Sequence, residues 1–404
     1  MRIGFLSFEY PPGTSGGIGS YVYMAARGLA RTGHEVTVIC GKRRGQSISD
    51  ERYPGVDVVR LEWEVTGRFW NLRPEMRNLQ RIAQTVEELH RDRPFDVIEG
   101  TEYNGEAYQL LKNGFNCPIV AKLHTANDLV WEITSRQVRG RLRRLLAFYL
   151  TIYPRLGFLR LVLEKSNRLH APSLAIARLT ARRYGIDFDK IDHVPNLSIP
   201  SPVPPSFEHR EPFTVLYVGR LAIIKGVELF AKIIPRVLER FPQSRFAFLG
   251  RDGAYGNHPS MKRWLISQLG PAAANCEFLG AVPYGEVQDH MRRASICVFP
   301  SLWETFPTVC LEAMDAGAVV VGSMRGGMAE MIEEGVSGFL GDPGNPETFA
   351  DKIILALEDA KLRESMGQAA RQRVFEKYRP EVIIPQQLAA YQRAIEQFHH
   401  TRKT

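Results

Sequence analysis

Apolar positions along this chain come in short runs, each followed by a longer stretch whose apolar residues recur at helical spacing. Residues 3–8, 36–40, 56–61, 97–98 and 119–123 read as strands, and 21–31, 77–91 and 106–113 as helices between them. Gly33 is placed to close the first helix. A strand ending at 173 and a helix over 175–184 complete this series. Pro195, Pro200, Pro202, Pro204, Pro205 and Pro212 then interrupt the periodicity, and repeated proline without a hydrophobic period reads as a linker. The alternation restarts with strands over 213–218, 245–250, 276–279, 296–300 and 318–322, and helices over 227–240, 261–269, 285–294 and 311–316. Strands alternating with helices predict an α/β fold built on doubly wound, mostly parallel sheets. Two such series predict two Rossmann-like domains, over 1–198 and 206–378, facing a central cleft. A helix-patterned tail, 379–404, is expected to cross back to the first domain.

One stretch breaks the pattern. Residues 139–164 mix Leu, Phe and Tyr with arginine, and between 136 and 183 the only acidic residue is Glu164. Most of the net charge of +8 is therefore local. A local basic face suggests phosphate, anionic lipid or nucleic acid as partner. Residues 139–168 are read either as an amphipathic helix packed on its own domain with solvated arginines, or as a helix docked on an anionic membrane. Nucleic acid is not expected, because no recognised binding module accompanies the charge. Composition is that of an ordinary soluble protein, with 44% hydrophobic and 24% charged residues, and 404 residues suit two domains. The five cysteines are scattered without a CxxC pair, so neither zinc nor a disulfide framework is indicated, and free thiols suit the cytosol. The first apolar run is too short for a signal peptide, and no uncharged apolar run reaches the about 18 residues of a spanning helix.

Candidate chemistry gathers at strand ends. Glu304 and Glu312 stand eight positions apart across a strand-to-helix junction, Glu304 in the loop and Glu312 in the helix that Pro307 is placed to open. They read as two carboxylates addressing separate hydroxyl groups, with helix N–H groups between them for phosphate; the alternative is a helix cap and a structural pair. Arg220 and Lys225 lie between Gly219 and Gly226 after another strand, where Arg can fork two phosphate oxygens and Lys supplies a point charge. In the first half, Gly16, Gly17 and Gly19 form a glycine loop after a strand, and His124 ends a strand.

Taken in order, these motifs resemble the retaining glycosyltransferases of family 4, which have the two-Rossmann-domain GT-B fold. The resemblance spans nearly the whole chain. It rests on Glu9-Tyr-Pro-Pro followed by Gly16-Gly17, Ala171-Pro-Ser173, Val194-Pro-Asn196, Gly219-Arg-Leu-x3-Lys-Gly226, Phe278-Leu-Gly280, Glu304-x7-Glu312, Glu312-Ala-Met-Asp-Ala-Gly317 and Gly327-Met-Ala-Glu330. It implies transfer from a nucleoside diphosphate sugar, UDP or GDP, to a hydroxyl acceptor, with the anomeric configuration retained and without metal or cofactor. By the same resemblance Arg220 and Lys225 neutralise the donor diphosphate, Glu312 binds the ribose and Glu304 the donor sugar. Phe306, Thr308 and Val309 offer backbone contacts, Val282 lies beside the base, Gly16 and Gly17 approach the diphosphate, and His124 sits over the donor sugar. Four of these, His124, Arg220, Lys225 and Glu304, are the expected catalytic set. The acceptor is expected to be a lipid-linked or cell-envelope glycan met at the inner face of the membrane, with a small soluble acceptor as the alternative. Thr305-Phe306-Pro307 stands where the family often has Gly-Phe-Gly, and Asn196-Leu197 where it has Asn-Gly, which leaves the donor's identity open. Asp187-Phe-Asp189 is read as a loop rather than a metal site, and His34 as structural. Competing readings are a nicotinamide-dependent oxidoreductase, for which the first loop lacks the full GxGxxG spacing, a sugar epimerase, and a non-catalytic basic binding protein.

Overall fold

The computed structural model describes residues 1–13, 16–43, 45–48, 53–64, 72–135, 140–207, 210–256 and 258–402. The chain divides into two compact units, Met1–Leu197 with Pro380–Thr404, and Ser198–Arg379.

In the first unit the strands are β1 (Arg2–Ser7), β2 (Glu35–Arg43), β3 (Val56–Trp63), β4 (Val97–Thr101), β5 (Ile119–Lys122), β6 (Arg168–Ala171) and β7 (Ile191–His193). They form one parallel sheet in the order β3-β2-β1-β4-β5-β6-β7. The helices are α1 (Gly17–Arg31), α2 (Arg73–Asp92), α3 (Tyr108–Lys112), α4 (Asn127–Thr134), α5 (Arg141–Thr151), α6 (Tyr153–Lys165) and α7 (Leu174–Tyr184). Buried Leu79, Ile82 and Val86 of α2 pack on Ile98 and Ile119 of the sheet, as the alternating pattern requires. α1 starts at Gly17, four residues before its apolar periodicity becomes legible, because its first turn is glycine-rich and carries no apolar stripe. Asp187 caps the single 3-10 turn Phe188–Lys190 through the Asp189 N–H, a structural use of that acidic pair. His34 accepts from the N-terminal amine at 3.0 Å.

The second unit holds β8 (Glu211–Val218), β9 (Arg245–Leu249), β10 (Cys276–Gly280), β11 (Ala294–Phe299), β12 (Val319–Ser323) and β13 (Phe339–Gly341). These are again parallel, in the order β10-β9-β8-β11-β12-β13. Its helices are α8 (Val227–Arg240), α9 (Met261–Leu269), α10 (Tyr284–Arg293), α11 (Thr308–Asp315), α12 (Met328–Met331), α13 (Glu347–Glu358) and α14 (Ala360–Lys377). The core is dense in aromatics, with the Phe230 ring in contact with Tyr217, Phe246 and Phe248. All five cysteines are free, and burial pushes the Cys297 thiol up to about 12, so it stays an uncharged core residue.

The last helix, α15 (Pro380–Thr401), belongs to the first unit. Beside buried Ile383, Ile384, Ala390 and Ala394, its hold includes a buried polar network. Tyr391 Oη donates to Glu99 Oε2 at 2.9 Å, and Gln387 Nε2 donates to Tyr21 Oη at 3.0 Å. Tyr21 Oη in turn donates to Glu99 Oε1 at 2.6 Å, and His170 Nδ1 lies 3.1 Å from Glu99 Oε2. Burial alone would raise the Glu99 pKa, but the bonds from His170 and Tyr21 and the charge of Lys122 outweigh it and hold Glu99 below its ordinary value.

Candidate functional site

Both sheets reverse strand order beside their first strand: β2 and β4 flank β1, and β9 and β11 flank β8. Ligands of open parallel sheets bind beyond the carboxyl ends of the strands at such a switch point. In the second unit the two loops that leave this point carry most of the predicted residues. Gly219–Gly226 follows β8 and 300–307 follows β11, whose strands pair with Tyr217 opposite Val298.

The first loop is shaped by its close approach to the second. Ile223–Lys225 makes one 3-10 turn, and Gly226 then takes φ +67° to launch α8. A Cβ on Gly226 would lie 1.8 Å from the Pro300 carbonyl oxygen, so both the conformation and the space demand glycine. Leu302 N–H donates to Ile224 O at 2.9 Å, locking the loops together. Lys225 thereby reaches Glu304 across 79 residues of sequence, and its Nζ donates to Glu304 Oε1. Ser301 Oγ adds a second donor to the same oxygen at 3.2 Å. The Glu304 side chain is only 13% exposed, so its partners matter. Its backbone is held from the other side: Gly327 N–H donates to Glu304 O at 2.8 Å, and Gly326, at φ +85°, leaves no room for a Cβ beside that oxygen. Arg220 is exposed, and its carbonyl accepts from Tyr217 Oη at 2.7 Å. Burial, and after it the Glu304 charge, keeps the Tyr217 phenol protonated as that donor.

α11 begins at Thr308. Pro307 sits one position earlier than expected, as the N-cap with ψ 113°, because its extended backbone turns the chain into the helix. Thr308 and Val309 therefore occupy the first turn, where N–H groups have no intrahelical partner. Glu312 is half-buried further along the same helix, and Phe306 is buried against Tyr378, ring centroids 5.6 Å apart. Val282 follows Gly280, whose carbonyl accepts from Gly250 N–H at 2.8 Å beyond the end of β9.

The first unit holds the other predicted residues. Gly16 caps α1, and a Cβ there would strike the Glu9 carboxylate at 2.5 Å. Glu9 Oε2 accepts from Gly19 N–H at 3.4 Å, so a carboxylate already faces the positive end of the helix. Gly17 has open space where its side chain would stand. His124 follows β5, its backbone N–H donating to Glu102 Oε1 at 2.6 Å. Its Nδ1 lies 3.1 Å from Lys122 O and 3.4 Å from Glu102 Oε2. A carbonyl can only accept, so the contact with Lys122 O puts a proton on Nδ1, and Nε2 is buried with no hydrogen-bond partner among the described residues. Sequence reasoning missed Glu102 and Ser301. Glu102 was findable as an acidic residue directly after β4, on the opposite side of the switch point from β2. Ser301 carried no signal.

Residues 204–373 match the family model described as glycosyl transferases group 1, and residues 16–197 that of the glycosyl transferase 4-like domain. An uncharacterised glycosyltransferase of Methanocaldococcus jannaschii is 28% identical, the match covering 98% of this chain and 99% of that one. Among solved structures, sucrose-phosphate synthase from Thermosynechococcus elongatus superposes with a TM-score of 0.79 at 20% identity, over 97% of this chain and 98% of that one. Anabaena HepE in complex with UDP and glucose gives a TM-score of 0.66 at 20% identity, covering 96% and 98%.

Proposed function

Because this chain belongs to the group 1 glycosyltransferases and has their GT-B fold, we propose that it moves a sugar from a nucleoside diphosphate sugar to a hydroxyl acceptor with retention of anomeric configuration. The observation that carries the donor side is the convergence of Lys225 and Glu304 at the switch point of the second sheet. Lys225, held at its stem by the 3-10 turn, supplies positive charge for the diphosphate, and Arg220 supplies the forked donor. Glu304 accepts from sugar hydroxyls and keeps Lys225 in place, and Glu312 accepts from the ribose. The first-turn N–H groups of α11 serve phosphate oxygens. Val282, Phe306, Thr308 and Val309 complete the donor contacts on this unit, and Gly16, Gly17 and His124 are retained as the donor-contacting residues of the other. Uridine or guanosine diphosphate is the expected carrier, in keeping with the UDP held by HepE.

In this reading the anomeric C–O bond to the diphosphate breaks while the acceptor oxygen bonds to the same face of that carbon. The acceptor proton passes to the departing phosphate oxygen. Charge grows on the diphosphate as the bond breaks, and fixed cations there lower the barrier without reorganisation. With two cations from the chain in that role, no metal and no cofactor is required. The acceptor assigned to this reading is a lipid-linked or cell-envelope glycan.

The test is a panel of UDP-, GDP- and ADP-sugars, following nucleoside diphosphate release in chelator and the product anomer by NMR. An α-linked donor should yield an α-linked product. An inverted product, or a rate lost in chelator and restored by a divalent metal, refutes the proposal.

A further inference from the structure

α5 is a helix that buries none of its own residues. α6, which follows it at a bend of 49°, is fastened to the first unit by buried Leu159, Val162 and Leu163 and by an Arg155–Glu75 ion pair at 2.9 Å. α5 therefore stands on an anchored neighbour and offers its outer face to solvent.

That face is a single apolar stripe. Leu142, Leu145, Leu146, Tyr149 and Leu150 follow one another at steps of three, one, three and one, the spacing that lines one side of a helix, and Tyr153 stands next, at the start of α6. All six are exposed, Leu142 by 77% and Leu146 by 58%. A run of contiguous exposed apolar side chains of this kind marks an interaction surface, where scattered ones would not. At 100° per residue, Arg141 and Arg143 fall on either flank of the stripe, and both are exposed. No acidic residue occurs between Glu132 and Glu164.

We propose that α5 seats this protein on an anionic lipid surface. The leucines enter the acyl boundary, Tyr149 and Tyr153 lie at headgroup level, and Arg141 and Arg143 reach lipid phosphates beside them. The charge pattern favours lipid over a second copy of the chain. Two copies meeting through this stripe would bring their flanking arginines together with no carboxylate on α5 to pair them. No single helix among the described residues is long and apolar enough to cross a membrane. α5 and α6 would be so only as a bent pair, and the buried face of α6 fixes it to the first unit, which assigns the contact of α5 to the interface plane. Of the wider basic stretch, Arg136 and Arg139 fall outside the described residues. α5 would make this contact whichever sugar donor the second unit binds.

The experiment is cosedimentation of the full chain with phosphatidylcholine vesicles, with and without phosphatidylglycerol, at low and high salt. Binding is expected only to the anionic vesicles, and salt weakens it. R141E/R143E should lower partitioning by more than about tenfold, since each arginine charge at such a surface is worth roughly fivefold. L142K/L146K, which keeps the positive charge and removes apolar area, should lower it by at least about tenfold. Far-UV circular dichroism should be unchanged, because all four positions are exposed. K225A should bind vesicles like the wild type, which separates a failed lipid contact from a failed donor site. Absence of binding at low salt, equal binding by both double variants, or a dimer that L142K/L146K dissociates overturns the proposal.

Discussion

Lys225→Ala is the sharpest perturbation of the donor site. The ammonium makes a charge-assisted bond to Glu304, worth about 1.5–3 kcal/mol. Both side chains are less than one-third exposed, 28% for Lys225 and 13% for Glu304, so solvent screens the pair only partly. Truncation leaves Glu304 with Ser301 Oγ at 3.2 Å as its remaining side-chain donor. Stability should fall by about 1–3 kcal/mol, the cost of a carboxylate deprived of its partner. Catalysis should fall further, because in the proposed mechanism the same cation meets charge that develops only as the diphosphate leaves. Removing one such preorganised group lowers kcat by about 10²–10³. The assay is steady-state kcat and KM for nucleoside diphosphate release, beside urea unfolding of the same preparation. Glu304→Gln and the double variant complete a cycle. If the two residues act as a unit, the double variant should be little slower than the worse single one. A folded Lys225→Ala enzyme within twofold of wild-type kcat/KM, or effects of the two substitutions that simply add, would refute the pairing as a functional device.

Glu312→Ala should raise the dissociation constant for every nucleoside diphosphate by at least about tenfold in isothermal titration, a lost charged hydrogen bond to ribose; unchanged affinity removes it from the site. Gly226→Ala should unfold readily in thermal melts, since φ +67° costs roughly 1–3 kcal/mol and its Cβ would overlap Pro300 O, whereas Gly17→Ala should melt like the wild type yet turn over more slowly if that backbone approaches the diphosphate. Glu106, buried with Thr101, Asn104 and the Phe8 N–H, has its carboxyl raised from 4.5 to about 7, chiefly by burial. A raised carboxyl contributes its stability in full below the unfolded value and loses it as pH rises through about 7. Urea unfolding should therefore lose roughly 3 kcal/mol between pH 4.5 and 7 from this group, and Glu106→Gln should flatten that slope; an identical slope in the variant disproves the attribution.

Local periodicity was enough to determine the two series of strands and helices, and local chemistry enough to put Arg220, Lys225 and Glu304 at strand ends and Glu312 in the helix that follows. Those features depend on neighbours three or four residues away, which a linear chain displays. Helix starts were less legible: α1 begins on glycines without an apolar stripe, and Pro307 caps α11 rather than entering it. What only the tertiary structure decided is partnership. Lys225 meets Glu304 because β9 and β10 are laid outward from β8 before the chain returns to place β11 on its other side. His124 is oriented by Glu102 because β4 and β5, which the two residues follow, lie side by side in the first sheet. Tyr391 reaches Glu99 across 292 residues, a distance at which no pattern in the sequence survives. Residue type and spacing determined which groups could carry charge to a phosphate; the order in which parallel strands are laid into a sheet decided which of them share a site, because that order sets distance in space independently of distance along the chain.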